Sequence, residues 1–210
     1  MHRYFIKTPW IAKKIFFNYI WSLPATGRDI YLSFDDGPHP EITPWVLDLL
    51  AQYEAKASFF CIGNNVALYP EVYKRITNEG HAVGNHTYHH LNGWKTSEAA
   101  YIGDVKQAAQ LIDSKLFRPP YGKIRSRQAK NLVNVLGEDA RVVMWDVLSG
   151  DFDRAFTSQQ CYENVIRNIA PGSIVVFHDS EKAFPHLKIV LPRVLEFLKE
   201  ANYLMKKIDL

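Results

Sequence analysis

Polar residues able to do chemistry stand repeatedly at the carboxyl ends of strand-like runs, and no other feature of the chain restricts its fold as much. Short β-branched and aromatic runs recur at 30–34 (IYLSF), 57–62 (ASFFCI), 81–85 (HAVGN), 115–118 (KLFR), 141–147 (RVVMWDV) and 173–177 (SIVVF), the pattern of buried strands. Helical patterns fall between them near 43–54, 70–79, 96–113, 126–136, 158–169 and 187–200. Several open with Ser, Thr or Pro, which suit a helix start. The run 203–210 (YLMKKIDL) supplies a seventh strand. Such alternation within 210 residues predicts one α/β domain with a parallel sheet, either open or closed into a barrel.

The placement of the polar residues chooses between these forms. Asp35 and Asp36 follow the first run, His86 the third, Arg118 ends the fourth, Asp151 comes soon after the fifth and His178 follows the sixth. An open sheet spreads its strand ends along a line, whereas a barrel gathers them into a ring. The expectation is therefore a distorted, incomplete (β/α) barrel of about seven parallel strands, with a groove on one side. A hydrophobic content of 47% is ample for its core. Cys61 and Cys161 are far apart and form no CxxC pattern, so they read as packed thiols of a reducing compartment.

Two adjacent carboxylates, Asp35 and Asp36, raise each other's proton affinity unless something positive or hydrogen-bonding sits beside them. The segment GNHTYHH (84–90) places three histidines in five positions after a strand. His86 and His90 have the i, i+4 separation that turns two rings to one point over a helical turn, and His89 points elsewhere. One carboxylate and two imidazoles make the three-ligand set of a catalytic zinc, leaving positions for water and substrate. If one Asp binds the metal, the other stays ionised as a general base, and hydrolysis is the natural reaction. His178 suits a general acid, Arg118 suits a carboxylate clamp, and the Pro119-Pro120 pair aims the Tyr121 backbone N–H into the site. His39 and Trp94 are candidates for substrate contact at the rim.

Taken in order, SFDDGP, HTYHH, RPPYG, WDVLSGDFD and VVFHD resemble the five motifs of the polysaccharide deacetylases with the NodB homology domain, carbohydrate esterase family 4. The resemblance runs from about Ile30 to the C-terminus. It implies a distorted seven-strand (β/α) barrel and one divalent metal, zinc ahead of cobalt, nickel or manganese. It also implies removal of acetyl groups from an N-acetylated glycan. Carried over by position, it makes Asp35 the base and Asp36, His86 and His90 the metal ligands. Arg118 pairs with the base, the Tyr121 N–H meets the oxyanion, Asp151 tunes the catalytic His178, and Thr87 shapes the histidine loop. Three positions depart from the pattern: Leu148 for an Asp, Phe152 for a Trp and Val176 for a Leu. Phe152 and Val176 fall where the family lines its acetyl pocket, so they keep it apolar and alter its shape. Rival readings are an O-acetyl carbohydrate esterase, an amidohydrolase of a non-sugar amide, and an inactive glycan-binding barrel.

Residues 1–29 form a basic, aromatic extension with no acid before Asp29, ahead of a catalytic domain at 30–210. Charges interrupt it well short of a membrane span, and no small-residue cleavage site follows an apolar core. It is expected to pack on the domain or to lie on an anionic membrane surface. The protein is accordingly expected in the cytoplasm, peripheral to the inner membrane. With 25 basic and 22 acidic residues, the chain lacks the basic density of a nucleic-acid binder.

Overall fold

A computed structural model describes residues 4–24 and 27–210; Arg3 of the basic extension lies outside the described residues. In chain order the elements are α1 (Trp10–Ile15), β1 (Asp29–Asp35), α2 (Ile42–Gln52), β2 (Ala57–Cys61), α3 (Gly63–Leu68), α4 (Pro70–Asn78), β3 (Ala82–Asn85), α5 (Glu98–Ala109) and β4 (Leu116–Phe117). They continue with α6 (Ser126–Asn131), α7 (Val133–Leu136), β5 (Arg141–Val142), β6 (Val147–Leu148), α8 (Ser158–Ile166), β7 (Ile174–His178), α9 (Phe184–Glu200) and β8 (Leu204–Met205).

All strand pairings among these elements are parallel, in the order β5-β4-β3-β2-β1-β7-β6, with β8 beside the start of β1. The two end strands, β5 and β6, are consecutive pieces of the run expected as a single strand over 141–147. Its first half bonds β4, through Val143 N–H to Phe117 O (2.8 Å), and its second half bonds β7, through Asp146 N–H to Ile174 O (3.0 Å). The run changes partner where Asp146, an acid in an apolar stretch, is held by Ser173 Oγ at 2.5 Å. One split strand thus brings the sheet round on itself into the distorted, incomplete barrel. The pattern at 126–136 is likewise broken, at Leu132, into α6 and α7.

Alternation along the strands sorts the two sides of the sheet. Ile30, Leu32, Phe34, Phe59, Val175 and Phe177 pack under residues of α2, α8 and α9. Tyr31, Phe60, Val143 and Ile174 pack together on the other side, where Ser33 and Asp35 also point. In register, Asp35 lies opposite Phe60 on one side and His178 on the other, so the carboxyl ends converge.

The extension is laced to the seam of the barrel. Residues 6–8 run antiparallel to β6, with Leu148 N–H donating to Ile6 O (2.8 Å) and Thr8 N–H to Asp146 O (2.9 Å). Ile20 sits between the halves of the split strand, accepting from Met144 N–H (2.7 Å) and donating to Val142 O (2.9 Å). Buried Asp146 accepts from Lys7 and Lys13, each at 2.5 Å. Burial alone would raise the Asp146 carboxyl, but the bonds from Lys13, Lys7 and Ser173 outweigh it and hold the group below its ordinary value. Its stabilisation is therefore present above the usual carboxylate range and lost as pH falls through the lowered value. Asp146→Asn should cost about 1–3 kcal/mol at pH 7, measured by urea unfolding, and the gap to wild type should close in acid below the usual carboxylate range.

Candidate metal centre

The strand ends bring Asp36, His86 and His90 together, with one ligand atom from each within 4.8 Å of the others. His90 Nε2 stands 3.2 Å and His86 Nε2 3.8 Å from the same oxygen of Asp36. The two histidines do not share a helical turn: residues 86–90 form a loop in which Thr87 and His90 take positive φ angles of 63° and 56°. The loop folds back because its side chains bond its own backbone. Thr87 N–H donates to Asn85 Oδ1 (2.9 Å), and Leu91 N–H donates to Thr87 Oγ1 (3.1 Å). Asp104 takes the Tyr88 and His89 N–H groups and the His89 ring at 2.6 Å, which turns His89 away from the cluster.

The chemistry of these donors fits a metal. His86 Nδ1 lies 2.7 Å from Arg118 O; a carbonyl can only accept, so the proton is on Nδ1 and the Nε2 lone pair faces the cluster. Burial pushes the His86 imidazole down to about 4, leaving it neutral at pH 7 as a ligand must be. For Asp36, burial acts upward but is outweighed by the His90 hydrogen bond and the charges of His178, His86 and His90, which hold the carboxyl well below its usual range. A carboxylate and two imidazoles suit zinc or a similar divalent ion.

Asp35 faces a different partner. Arg118 is fully buried, and its guanidinium donates to Asp35 Oδ1 (2.7 Å), Ser33 Oγ (2.8 Å), Val143 O (3.1 Å) and Met144 O (3.0 Å). Across the strand register, both the backbone N–H and the ring Nδ1 of His178 bond the Asp151 carboxylate, each at 2.8 Å. Burial works against the His178 imidazolium, but the charge and hydrogen bond of Asp151 prevail and raise it to about 9. Tyr121 has φ of 60° in the turn after Pro119-Pro120, and its ring stands 4.6 Å from that of His90.

These groups open into one cavity of about 380 Å³, lined by Asp35, Asp36, His86, His90, Tyr121 and His178 and walled on its apolar side by Trp145, Leu148, Phe152 and Val176. Thr87 is buried behind the metal loop. His39 is outside the lining: its Nδ1 accepts from the Glu41 and Ile42 N–H groups at the start of α2, each at 3.2 Å. Trp94 is exposed, with its ring beneath Lys123, and Lys123 itself lines the cavity. Sequence reasoning passed over Tyr4, Lys123, Trp145 and Lys182 in the lining, and also Asp179. That buried acid accepts from Gly37 N–H (3.0 Å) and from Thr43 Oγ1. Burial and the nearby Asp36 charge raise its carboxyl to about 7. A Cβ on Gly37 would lie 2.1 Å from the Asp179 carboxylate, so the turn after the Asp pair requires glycine. The HD pair at 178–179 was the available signal.

Known proteins resemble this chain in sequence and in fold. The family model described as polysaccharide deacetylase matches residues 23–140. A peptidoglycan-N-acetylglucosamine deacetylase of Bacillus cereus is 33% identical, over 91% of this chain and 76% of its own. A chitooligosaccharide deacetylase of Azorhizobium caulinodans is 35% identical, over 71% of this chain and 73% of its own. Among solved structures, the Bc1960 peptidoglycan N-acetylglucosamine deacetylase in complex with 4-naphthalen-1-yl-N-oxidanyl-benzamide matches with a TM-score of 0.79 at 32% identity, over 90% of this chain and 89% of that one.

Removing a ligand should release the metal without touching the His178 side of the cavity. Asp36→Ala and His90→Ala should each weaken zinc binding by more than the roughly 10–100-fold that losing an outer-shell partner costs. His178→Ala should keep wild-type zinc content. Metal analysis after dialysis against a weak chelator reads both, and zinc retained in full by Asp36→Ala would remove Asp36 from the ligand set.

Proposed function

From the premise that this chain belongs to the polysaccharide deacetylase family, and is thus a hydrolase of carbon–nitrogen bonds other than peptide bonds, we propose that it removes N-acetyl groups from an amino-sugar glycan. The observation that carries this reading is that one cavity holds an Arg-held carboxylate, an Asp-held imidazole and a metal-ligand cluster together. The relatives named for peptidoglycan N-acetylglucosamine and chitooligosaccharides support an N-acetylated sugar over an ester or a non-sugar amide.

When bound by Asp36, His86 and His90, the metal supplies Lewis acidity toward water and the acyl oxygen. Asp35, oriented by Arg118, takes the proton of the attacking water. The Tyr121 backbone N–H, presented by its left-handed turn, donates to the oxygen that gains charge at the former carbonyl. His178 holds its Nδ1 proton against Asp151 and gives the Nε2 proton to the departing amine. With a value raised to about 9, its acid form is present at neutral pH. An inactive glycan-binding barrel has no use for a buried Arg118–Asp35 pair and an Asp151–His178 pair aimed at one point.

We also propose that the extension touches an anionic membrane surface. Phe5, Trp10, Ile11, Ile15, Phe16 and Phe17 are all exposed, and no comparable run of exposed hydrophobics occurs elsewhere among the described residues. No acid precedes Asp29, and Lys14 shares the exposed side of α1. No helix among the described residues is long and apolar enough to cross a membrane, so the contact is interfacial.

Acetate should be released from N-acetylglucosamine oligomers or peptidoglycan fragments in preference to acetylated xylan or a non-sugar acetamide; the reverse order would reject the reading. His178→Ala should lower kcat by about 10²–10⁴ with zinc retained. Because Asp151 raises His178, Asp151→Asn should move the alkaline limb of the kcat–pH profile to lower pH. For the membrane contact, the protein should sediment with vesicles of phosphatidylglycerol and stay in solution with phosphatidylcholine, and Trp10→Asp with Ile15→Asp should abolish sedimentation. Equal behaviour with both lipids, or a dimer that the double variant dissociates, would assign this face to another partner.

A further inference from the structure

The extension does more than cover the seam. Because residues 6–8 run antiparallel to β6, the chain before Ile6 continues past the carboxyl end of β6, toward Asp151 and Phe152. It delivers Tyr4 to the cavity, where the residue stands in the lining with Leu148, Phe152 and Val176. The Tyr4 ring packs 5.3 Å from that of Phe152, and Phe152 meets the His178 ring edge-on at 4.9 Å. The Tyr4 hydroxyl donates to Asp153, which fixes the ring's angle. Burial and the Asp153 carboxylate push the phenol well above its ordinary value, so it stays a neutral donor. Lys7 on Asp146 (2.5 Å) and on Asn168 O (2.6 Å), with Thr8 Oγ1 on Trp145 O (2.7 Å), anchor the strap just beyond.

Apolar walls on one side of a cavity whose other lining is polar define where a methyl group goes. Tyr4 and Phe152 line that side together, their rings tilted against each other. We propose that Tyr4 is a specificity-determining residue, whose ring packs against Phe152 and limits the apolar side of the cavity to an acetyl group. This rests on the deacetylase reading above, and it deepens that reading by naming a wall that no residue of the barrel itself supplies.

The test compares N-acetyl, N-propionyl and N-butyryl glucosamine oligomers with wild type, Tyr4→Ala, Tyr4→Val and Tyr4→Phe. A methylene accommodated or refused by an apolar pocket changes kcat/KM by about 10–200-fold. Tyr4→Ala should therefore raise the butyryl-to-acetyl ratio of kcat/KM by about tenfold or more. Tyr4→Val should fall between, and Tyr4→Phe should keep the wild-type ratio because the ring remains. In parallel, the zinc-loaded proteins are titrated with acetohydroxamate and butyrohydroxamate, whose affinity ratio reports pocket width without turnover. An unchanged ratio in Tyr4→Ala by both readouts, including an equal loss on every acyl group, would overturn the proposal. Wild type inactive on every N-acyl sugar, with the hydroxamate ratio still shifted by Tyr4→Ala, would overturn the deacetylase reading and leave the wall in place.

Discussion

The site is organised around a fully buried guanidinium. Burying an arginine is costly unless its charge is paired and its donors are used, and Arg118 meets both conditions with four bonds to Ser33, Asp35, Val143 and Met144 and with the Phe60 ring 3.9 Å beneath it. These partners come from β1, from β2 and from the split run between β5 and β6. The Val143 and Met144 carbonyls accept from Arg118 where that run leaves β4 and moves toward β7, so the bend that closes the barrel also supplies two acceptors. Arg118 acts on both halves of the chemistry. Its side chain orients Asp35, and its main-chain oxygen fixes the tautomer of His86.

Several site residues occupy backbone conformations that L side chains rarely adopt. Asp36, Thr87, His90 and Tyr121 all have positive φ, and Glu54 and Asn202 are the other non-glycine examples among the described residues. Each such residue costs of order 1 kcal/mol, and local bonds hold the turns at Asp36, Thr87 and Tyr121. Asn65 Nδ2 donates to Asp36 O at 2.8 Å, and Asp179 takes the next N–H, that of Gly37. Thr87 is bracketed by Asn85 and Leu91. Gly122 N–H, just after Tyr121, returns to Pro119 O at 2.9 Å. The strain is concentrated at the turns that carry Asp36, His90 and Tyr121 to the cavity.

The strand ends were legible because burial on both faces makes a parallel strand a continuous apolar run, and the first polar residue after it marks the rim. That pattern marks Asp35, Asp36, His86, Arg118 and His178 in the sequence. Adjacency alone treats Asp35 and Asp36 alike, and only the family resemblance gave them different expected roles. The structure sets them apart by the inward register of Asp35 toward Ser33 and Arg118, against the left-handed turn at Asp36. The split of 141–148 was hidden because its partner change depends on Lys7, Lys13 and Ser173, which lie far away in sequence. The histidine loop was misread as helical for a related reason: i, i+4 spacing suits a helix, and Asn85 and Asp104 impose another path. Tyr4 carried no local signal, because its position follows from pairing between residues 6–8 and β6.

The two imidazoles at the centre show how one residue type takes opposite states within one cavity. His86 sits with burial dominant and a carbonyl on Nδ1, and it is driven down to about 4. His178 is largely buried too, but the Asp151 carboxylate holds its Nδ1, and it is driven up to about 9. The partner of Nδ1, neutral or charged, decides between them. One imidazole is thereby neutral near pH 7, with its Nε2 lone pair free, and the other is a cation. Surroundings push the two titratable groups apart within one cavity. Here the division is set by the residues one strand away, Arg118 through its carbonyl and Asp151 through its carboxylate.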